Sequence, residues 1–501
     1  MIHTSTTRRT LTALLATLML LSSLASCGEA TDPADTTAAA QTTVATEEGE
    51  TLLTDTLPDG LNYGGDQVNI LSRNYGSDLV DEIFVEELNS DPVNDAIYER
   101  NTEVSQRLNI TINSIRESSE EPITKIISAI NAGSKDYDIM VELSWKVMPK
   151  SIDGYFADLQ QTAYLDFDKP WWTQGFNEAA SYHGSQFAIT GVMVLSTYRR
   201  TYSTVFNKQL FDDANQPYLY EYVENGTWTL DKQISLVPLF HRDNGNNQQD
   251  KEGDIYGFVS DTYISIDPYQ TTAELEILRK NKDGDYEWAF NNERISDLTD
   301  KVLELYYGTD GGMYVVPDPS DFQESTRTIF SNNYAAMATL CLQALEHPTM
   351  RNMTSEYGVV PIPKFDQTVT TYHSAMHDGY TVAVIPTTVT GDRLDQMSAV
   401  LEAMGSASYR IIQPAYYELT LRTKIAQDPQ SAEMMDLLTK SIVIDPGIIY
   451  SNNMGGFHAQ HRDVIAGKKN NSASRYKSLA KSAQKNLTRI TEKLDKLVEQ
   501  A

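Results

Sequence analysis

Two cysteines in 501 residues, at 27 and 341, are too few for a disulfide framework. Basic residues are also scarce. Forty Lys and Arg face 69 Asp and Glu, for a net charge of −29. Such a surface repels phosphate backbones and bare anionic lipid, which excludes nucleic acid as a partner. A membrane-spanning helix needs about 20 apolar residues, and the run Leu11–Leu21 stops short of that. No G-x-S-x-G, H-E-x-x-H or C-x-x-C motif occurs, nor a phosphate-binding glycine loop. The eight histidines are scattered; His373 and His377 stand four apart but flank a strand start, so no metal site and no cofactor is read from them. In the loop Asn244–Asp250, Arg242 stands where a calcium loop wants its first carboxylate and Asn247 where it wants its glycine, so a polar surface loop is expected. Glycoside hydrolysis asks for only two carboxylates. The acidic residues mark out no such pair, and an exported glycan-processing enzyme stays open as a second reading.

What is present begins at the N-terminus. Arg8 and Arg9 precede the apolar run, and small residues follow it, the layout of an export signal. Leu24-Ala25-Ser26-Cys27 resembles the bacterial lipobox, which implies a signal peptide over 1–26 and lipidation of Cys27. Residues 28–57 are mostly Thr, Ala, Asp and Glu without an aromatic, too polar to bury a core, so a disordered tether is expected over 27–60. Cys341 lies in the apolar stretch Ala335–Leu342 and reads as a buried, inert thiol. The 28 tyrosines and five tryptophans offer flat amphipathic surfaces suited to polar ligands with apolar faces.

The body opens with alternating patterns. Gln67–Ser72 reads as a strand, Val93–Leu108 as a helix and Ile110–Ile115 as a second strand. Ile123, Ile126, Ile127 and Ile130 recur at helical spacing before Gly133, and Tyr137–Val141 reads as a third strand. This βαβαβ order predicts a parallel sheet with right-handed crossovers, whose ligands sit beyond the carboxyl ends of the strands. Arg73 and Asn74 after the first strand, and Ser144 and Trp145 after the third, are therefore candidate binding residues. Later, Lys282–Asp285 reads as a hairpin turn, and Tyr357–Pro361 and Tyr380–Pro386 as strands. Leu479, Ala483, Leu487, Ile490, Leu494 and Leu497 line one face of a long C-terminal amphipathic helix, with Lys477, Lys481, Lys485, Arg489 and Lys493 as its solvated face.

Several segments, in order, carry a resemblance. They are Phe156–Leu159, YLDFDKPWWTQGFNEAA (164–180), His183–Gly191, Val205–Phe211, Glu224–Asp231, Asp254–Phe258, Tyr357–Pro363, Tyr380–Pro386 and AQDPQSAEMMDLL (426–438). Together they resemble the carbohydrate-type extracellular solute-binding proteins of bacterial ABC importers. That resemblance implies an α/β, two-lobed periplasmic-binding-protein-like fold with a hinge, lobe 1 over 61–193 plus 377–415 and lobe 2 over 194–376 plus 416–501. It implies a monomer, lipid-anchored at the extracellular face of the cytoplasmic membrane, that captures a sugar and hands it to an ABC permease without chemistry. The crossings are expected near Thr190–Tyr202, His377–Tyr380 and Pro414–Tyr417, which adds Tyr198, Arg199, Arg200, His377, Asp378, Tyr416 and Tyr417 to the candidates; Trp172 joins them as a stacking surface. Two departures stand out. Leu342-Gln343 occupies the place of a tryptophan that maltodextrin binders carry. The arginine pair at the first crossing, with Arg73, points to an acidic sugar unless these cations pair with the chain's own acids. A third reading, a mostly helical starch-capturing outer-membrane lipoprotein, would lack the early βαβαβ order.

Overall fold

The computed structural model describes residues 53–500 apart from 75–80, 119–120, 318–321 and 423–428. The signal peptide, Cys27 and most of the expected tether lie outside the described residues.

The first sheet is built from β1 (Asp66–Arg73), β2 (Ile110–Glu117) and β3 (Ile139–Leu143), with helices α1 (Pro92–Leu108) and α2 (Glu121–Asn131) as the crossovers. Local chemistry sets these limits. Asp91 caps α1 by accepting from the N–H groups of Val93 and Asn94, Pro92 takes a position that needs no N–H, and Asn109 ends the helix in the left-handed region. β1 and β3 bury nearly all of their apolar residues, as strands covered on both faces must. Each such side chain contributes roughly 1.5–3 kcal/mol. β1 pairs parallel with β2 on one side and β3 on the other.

The second sheet holds β4 (Tyr202–Asn207), β5 (Tyr256–Asp261), β8 (Met313–Val316), β9 (Ala335–Cys341) and β10 (Tyr357–Val360), in the order β10-β4-β9-β5-β8. A separate hairpin joins β6 (Leu278–Lys280) to β7 (Tyr286–Trp288), and Gly284 supplies the positive φ of its turn. The chain then returns to the first sheet, where β11 (Thr381–Val384) adds antiparallel to β3. Lobe 1 is organised around the first sheet and lobe 2 around the second.

Two crossings join the lobes side by side. Ile189 pairs with Ala383 at the first sheet, and Thr201 pairs with Met376 at the entrance of β4. The third expected crossing differs. Residues 414–417 lie inside one long helix, Asp392–Arg422, with Pro414 in its interior. A proline removes one helical hydrogen bond, yet the helix continues through it.

A second correction concerns the span 53–60, expected as the end of the disordered tether. It is seated on lobe 1. The Asp55 carboxylate accepts both Nη groups of Arg107 at 2.7 and 2.6 Å, the Asp55 N–H donates to Ser406 Oγ at 3.0 Å, and Leu57 is buried. The C-terminal helix Ser472–Val498 buries Ala483, Leu487, Ile490 and Leu494 and leaves the row of basic residues exposed.

Candidate functional site

The carboxyl ends of β1, β3 and β9 point toward the crossings, and a cavity of about 280 Å3 lies there. Lobe 1 contributes Arg73, Asn74, Glu82, Leu143 and Trp145; Arg199, Arg200, His377 and Gly379 come from the crossings, and Phe322 and Gln343 from lobe 2. Six candidates read from sequence thus meet at one wall: Arg73, Asn74, Trp145, Arg199, Arg200 and His377. A larger cavity of about 650 Å3 is bounded by β6 and residues 442–446. No strand of either main sheet ends in it, so the smaller cavity is the candidate site.

Each wall residue is held by its own element. Arg73 ends β1 with Nη2 3.4 Å from Thr381 Oγ1 and Nη1 4.0 Å from Glu142. Trp145 sits in the first turn of α3 (Ser144–Ser151) and is 37% exposed, the most open tryptophan surface at the wall. Arg199 grips Glu346 through two bonds, Nε to Oε1 at 3.0 Å and Nη2 to Oε2 at 2.9 Å, with Glu82 4.0 Å away. Burial opposes its charge, but the Glu346 carboxylate outweighs that and holds the guanidinium above its ordinary value. Glu82 is placed from behind by Arg100, which is buried and donates to the Ile83 carbonyl at 2.6 Å.

Arg200 is held otherwise. Its guanidinium lies over the Phe322 ring at 4.6 Å, and its Nη1 is buried with no hydrogen-bond partner among the described residues. Burial lowers its pKa from the ordinary value, and Arg73 pushes the same way against Cys341 and Glu82. His377 accepts the Gly379 N–H on Nδ1 at 3.0 Å, which leaves the ring proton on Nε2. Burial, then Arg200, holds this histidine well below its ordinary pKa, so it is neutral at pH 7. A side chain at 379 would come within 2.9 Å of the His377 ring, so glycine there lets the crossing fold back on itself.

The other candidates lie elsewhere. Ser144 Oγ donates to the Asp378 carbonyl at 2.8 Å, tying α3 to the crossing. Asp378 faces Asp267 and His458 in a separate small cleft, where burial raises its pKa. Tyr198 stacks on Tyr416 with centroids 5.4 Å apart and meets Tyr417 edge-on; Tyr198 and Tyr416 are buried. Tyr417 bonds Thr439 at 3.1 Å. Trp172 is 1% exposed in the lobe 1 core, its Nε1 donating to Glu402 at 3.2 Å. Gly405 makes room for it: a Cβ there would sit 3.0 Å from the Trp172 ring and 2.6 Å from Trp171. Cys341 ends β9 fully buried, its thiol pushed up to about 12 by burial.

Sequence reasoning missed Glu82, Leu143, Phe322, Gln343 and Gly379. Gln343 could have been found, because it follows the carboxyl end of β9 as Trp145 follows β3. Phe322 follows Asp318-Pro319-Ser320-Asp321, a sequence with no periodicity to reveal it.

Two α/β lobes, paired crossings and a cavity at the strand ends between them define the class of two-lobed solute-binding folds. Three solved structures share it. They are the GacH receptor of Streptomyces glaucescens GLA.O, solved with acarbose (TM-score 0.55, 15% identity, 85% of this chain and 99% of that one); a cyclo/maltodextrin-binding protein with maltotetraose (0.54, 12%, 85% and 97%); and an ABC substrate-binding protein of Listeria monocytogenes with cycloalternan (0.52, 14%, 86% and 99%). No family model and no curated protein matches the chain. Among the described residues no helix is long and apolar enough to cross a membrane, and no cluster of His, Cys, Asp or Glu has the makings of a metal site.

Proposed function

We propose that this chain captures a saccharide between its lobes and delivers it to an ABC import permease, working as a monomer held by a lipid on Cys27 at the extracellular face of the cytoplasmic membrane. The observation that carries the reading is the wall at the strand ends, which combines an open indole face with polar groups from both lobes and the crossings. Sugars present hydroxyls that need paired partners and CH faces that stack on rings, so such a wall discriminates among them. Closing the lobes removes water from those bonds. The bound sugars of the three structures of like fold support the same class of guest.

Binding without turnover fits the carboxylates near the cavity. Glu142 faces Arg73, Glu346 is gripped by Arg199, and Glu82, in the lining itself, stands 4.0 Å from Arg199; a hydrolase would need one acid kept protonated beside the scissile bond. The mostly helical starch-capturing reading is set aside by the βαβαβ sheet itself.

A thermal-shift screen against neutral and acidic mono- and oligosaccharides, with product analysis of each mixture, tests the proposal. A saccharide at 100 times its dissociation constant should stabilise the protein by about 2.7 kcal/mol and be recovered intact. Cleavage of any saccharide, or no shift with all of them, would remove it.

A further inference from the structure

The arginine pair at the first crossing is split by the fold. Arg199 has two hydrogen bonds to Glu346, and Glu82 stands 4.0 Å away. Arg73, across the cavity, has Thr381 and Glu142. Arg200, between them, has no carboxylate within ion-pair distance among the described residues. One face of its guanidinium is covered by the Phe322 ring at 4.6 Å. Its main chain is fixed, since its carbonyl accepts the His377 N–H at 2.8 Å. Nη1 is out of water and has no hydrogen-bond partner among the described residues.

This is a costly arrangement for a free protein. A guanidinium partly taken from water with no carboxylate at ion-pair distance among the described residues costs the fold free energy, and here it occurs in a chain with 69 acidic residues to choose from. Nine-tenths or more of the buried polar groups in proteins find partners, so a guanidinium nitrogen left without one beside a cavity is a place for a partner that arrives from outside. A planar guanidinium stacked on one face and set in a cavity wall is suited to take a carboxylate through parallel bonds. Gln343 adds a second feature: it lines the same cavity, and its Oε1, an acceptor, has no hydrogen-bond partner among the described residues.

Resting on the saccharide-capture reading above, we propose that the preferred guest is a short saccharide bearing a carboxylate, a uronate-containing sugar, with its carboxylate on Arg200 and a hydroxyl donating to Gln343. The cavity, at about 280 Å3, sits at the lower end of the roughly 300–1,000 Å3 typical of small-molecule sites, so a short acidic sugar fills it rather than a long chain. The other arginines serve a different purpose: already matched by Glu346 and Glu142, they shape the wall without demanding further negative charge.

Calorimetry on the full-length protein decides the matter. The probes are glucuronate- and galacturonate-containing disaccharides, their carboxyl-reduced counterparts and a hexose phosphate. The acidic disaccharide is expected to bind at least tenfold more tightly than its reduced counterpart. Arg200→Met should abolish that preference while leaving the unliganded melting temperature unchanged or higher, because it removes an uncompensated charge. Arg199→Met should instead lower the melting temperature, since it orphans Glu346. Equal binding of acid and reduced forms by the wild-type protein, or preference for the hexose phosphate, overturns the inference whether or not the variants fold. If neutral saccharides bind and acidic ones do not, the inference falls and sugar capture stands. If no saccharide binds, both fall.

Discussion

The interior of lobe 1 beneath the long helix and the wall of the cleft use the same residue types to opposite ends. In the interior, Trp171 and Trp172 drop into the notch left by Gly405, and the Trp172 Nε1 meets Glu402. At the wall, Trp145 keeps an open face, and neither Arg200 Nη1 nor Gln343 Oε1 has a hydrogen-bond partner among the described residues. An aromatic or a charge is therefore not a binding residue by type. It becomes a candidate when its element presents it to a cavity at the strand ends.

The largest effect that would sharpen this contrast comes from the interior. Trp172→Ala empties a packed notch and strands Glu402, and should cost about 3–5 kcal/mol, measured by denaturant unfolding. A loss below ~1 kcal/mol would mean that this tryptophan is not part of the core.

Next comes Glu402 itself. Burial pushes its carboxyl up from 4.5 to about 7, against the bonds from the Asp166 N–H at 3.3 Å and from Trp172. A carboxyl whose pKa is raised in the folded state favours the fold below pH 4.5, and that advantage is lost as pH climbs through 7. Its share of stability should thus fall by roughly 2–3 kcal/mol between pH 4.5 and 7.5. Glu402→Gln should flatten that slope in melts taken across the range; an unchanged slope would assign it to other groups.

The smallest change in stability belongs to the wall. Trp145→Ala should shift unfolding by about 0.5 kcal/mol or less, yet weaken saccharide binding several-fold in calorimetry. Large destabilisation with unchanged affinity would make the two regions alike.

Much of the fold was legible because its signals are local. Alternating apolar residues marked β1 and β2, spacing of three and four marked α2, and the order of these elements implied where ligands sit. That rule alone brought Arg73, Asn74 and Trp145 to the cavity. Contacts distant in sequence were not legible. Trp172 has the composition of a stacking surface, and what makes it core is a missing side chain at Gly405, more than 200 residues on. Tyr416 is a candidate because the resemblance puts a crossing at 414–417, while the fold places that stretch inside a helix. Arg199 and Arg200 are indistinguishable until Glu346 comes up beside one of them.

The seating of Asp55 and Leu57 has a mechanical meaning. Arg107 and Ser406 both belong to helices of lobe 1, so tension arriving along the polypeptide from its upstream side is absorbed by one jaw. The elements around the second sheet take no share of that load through these bonds.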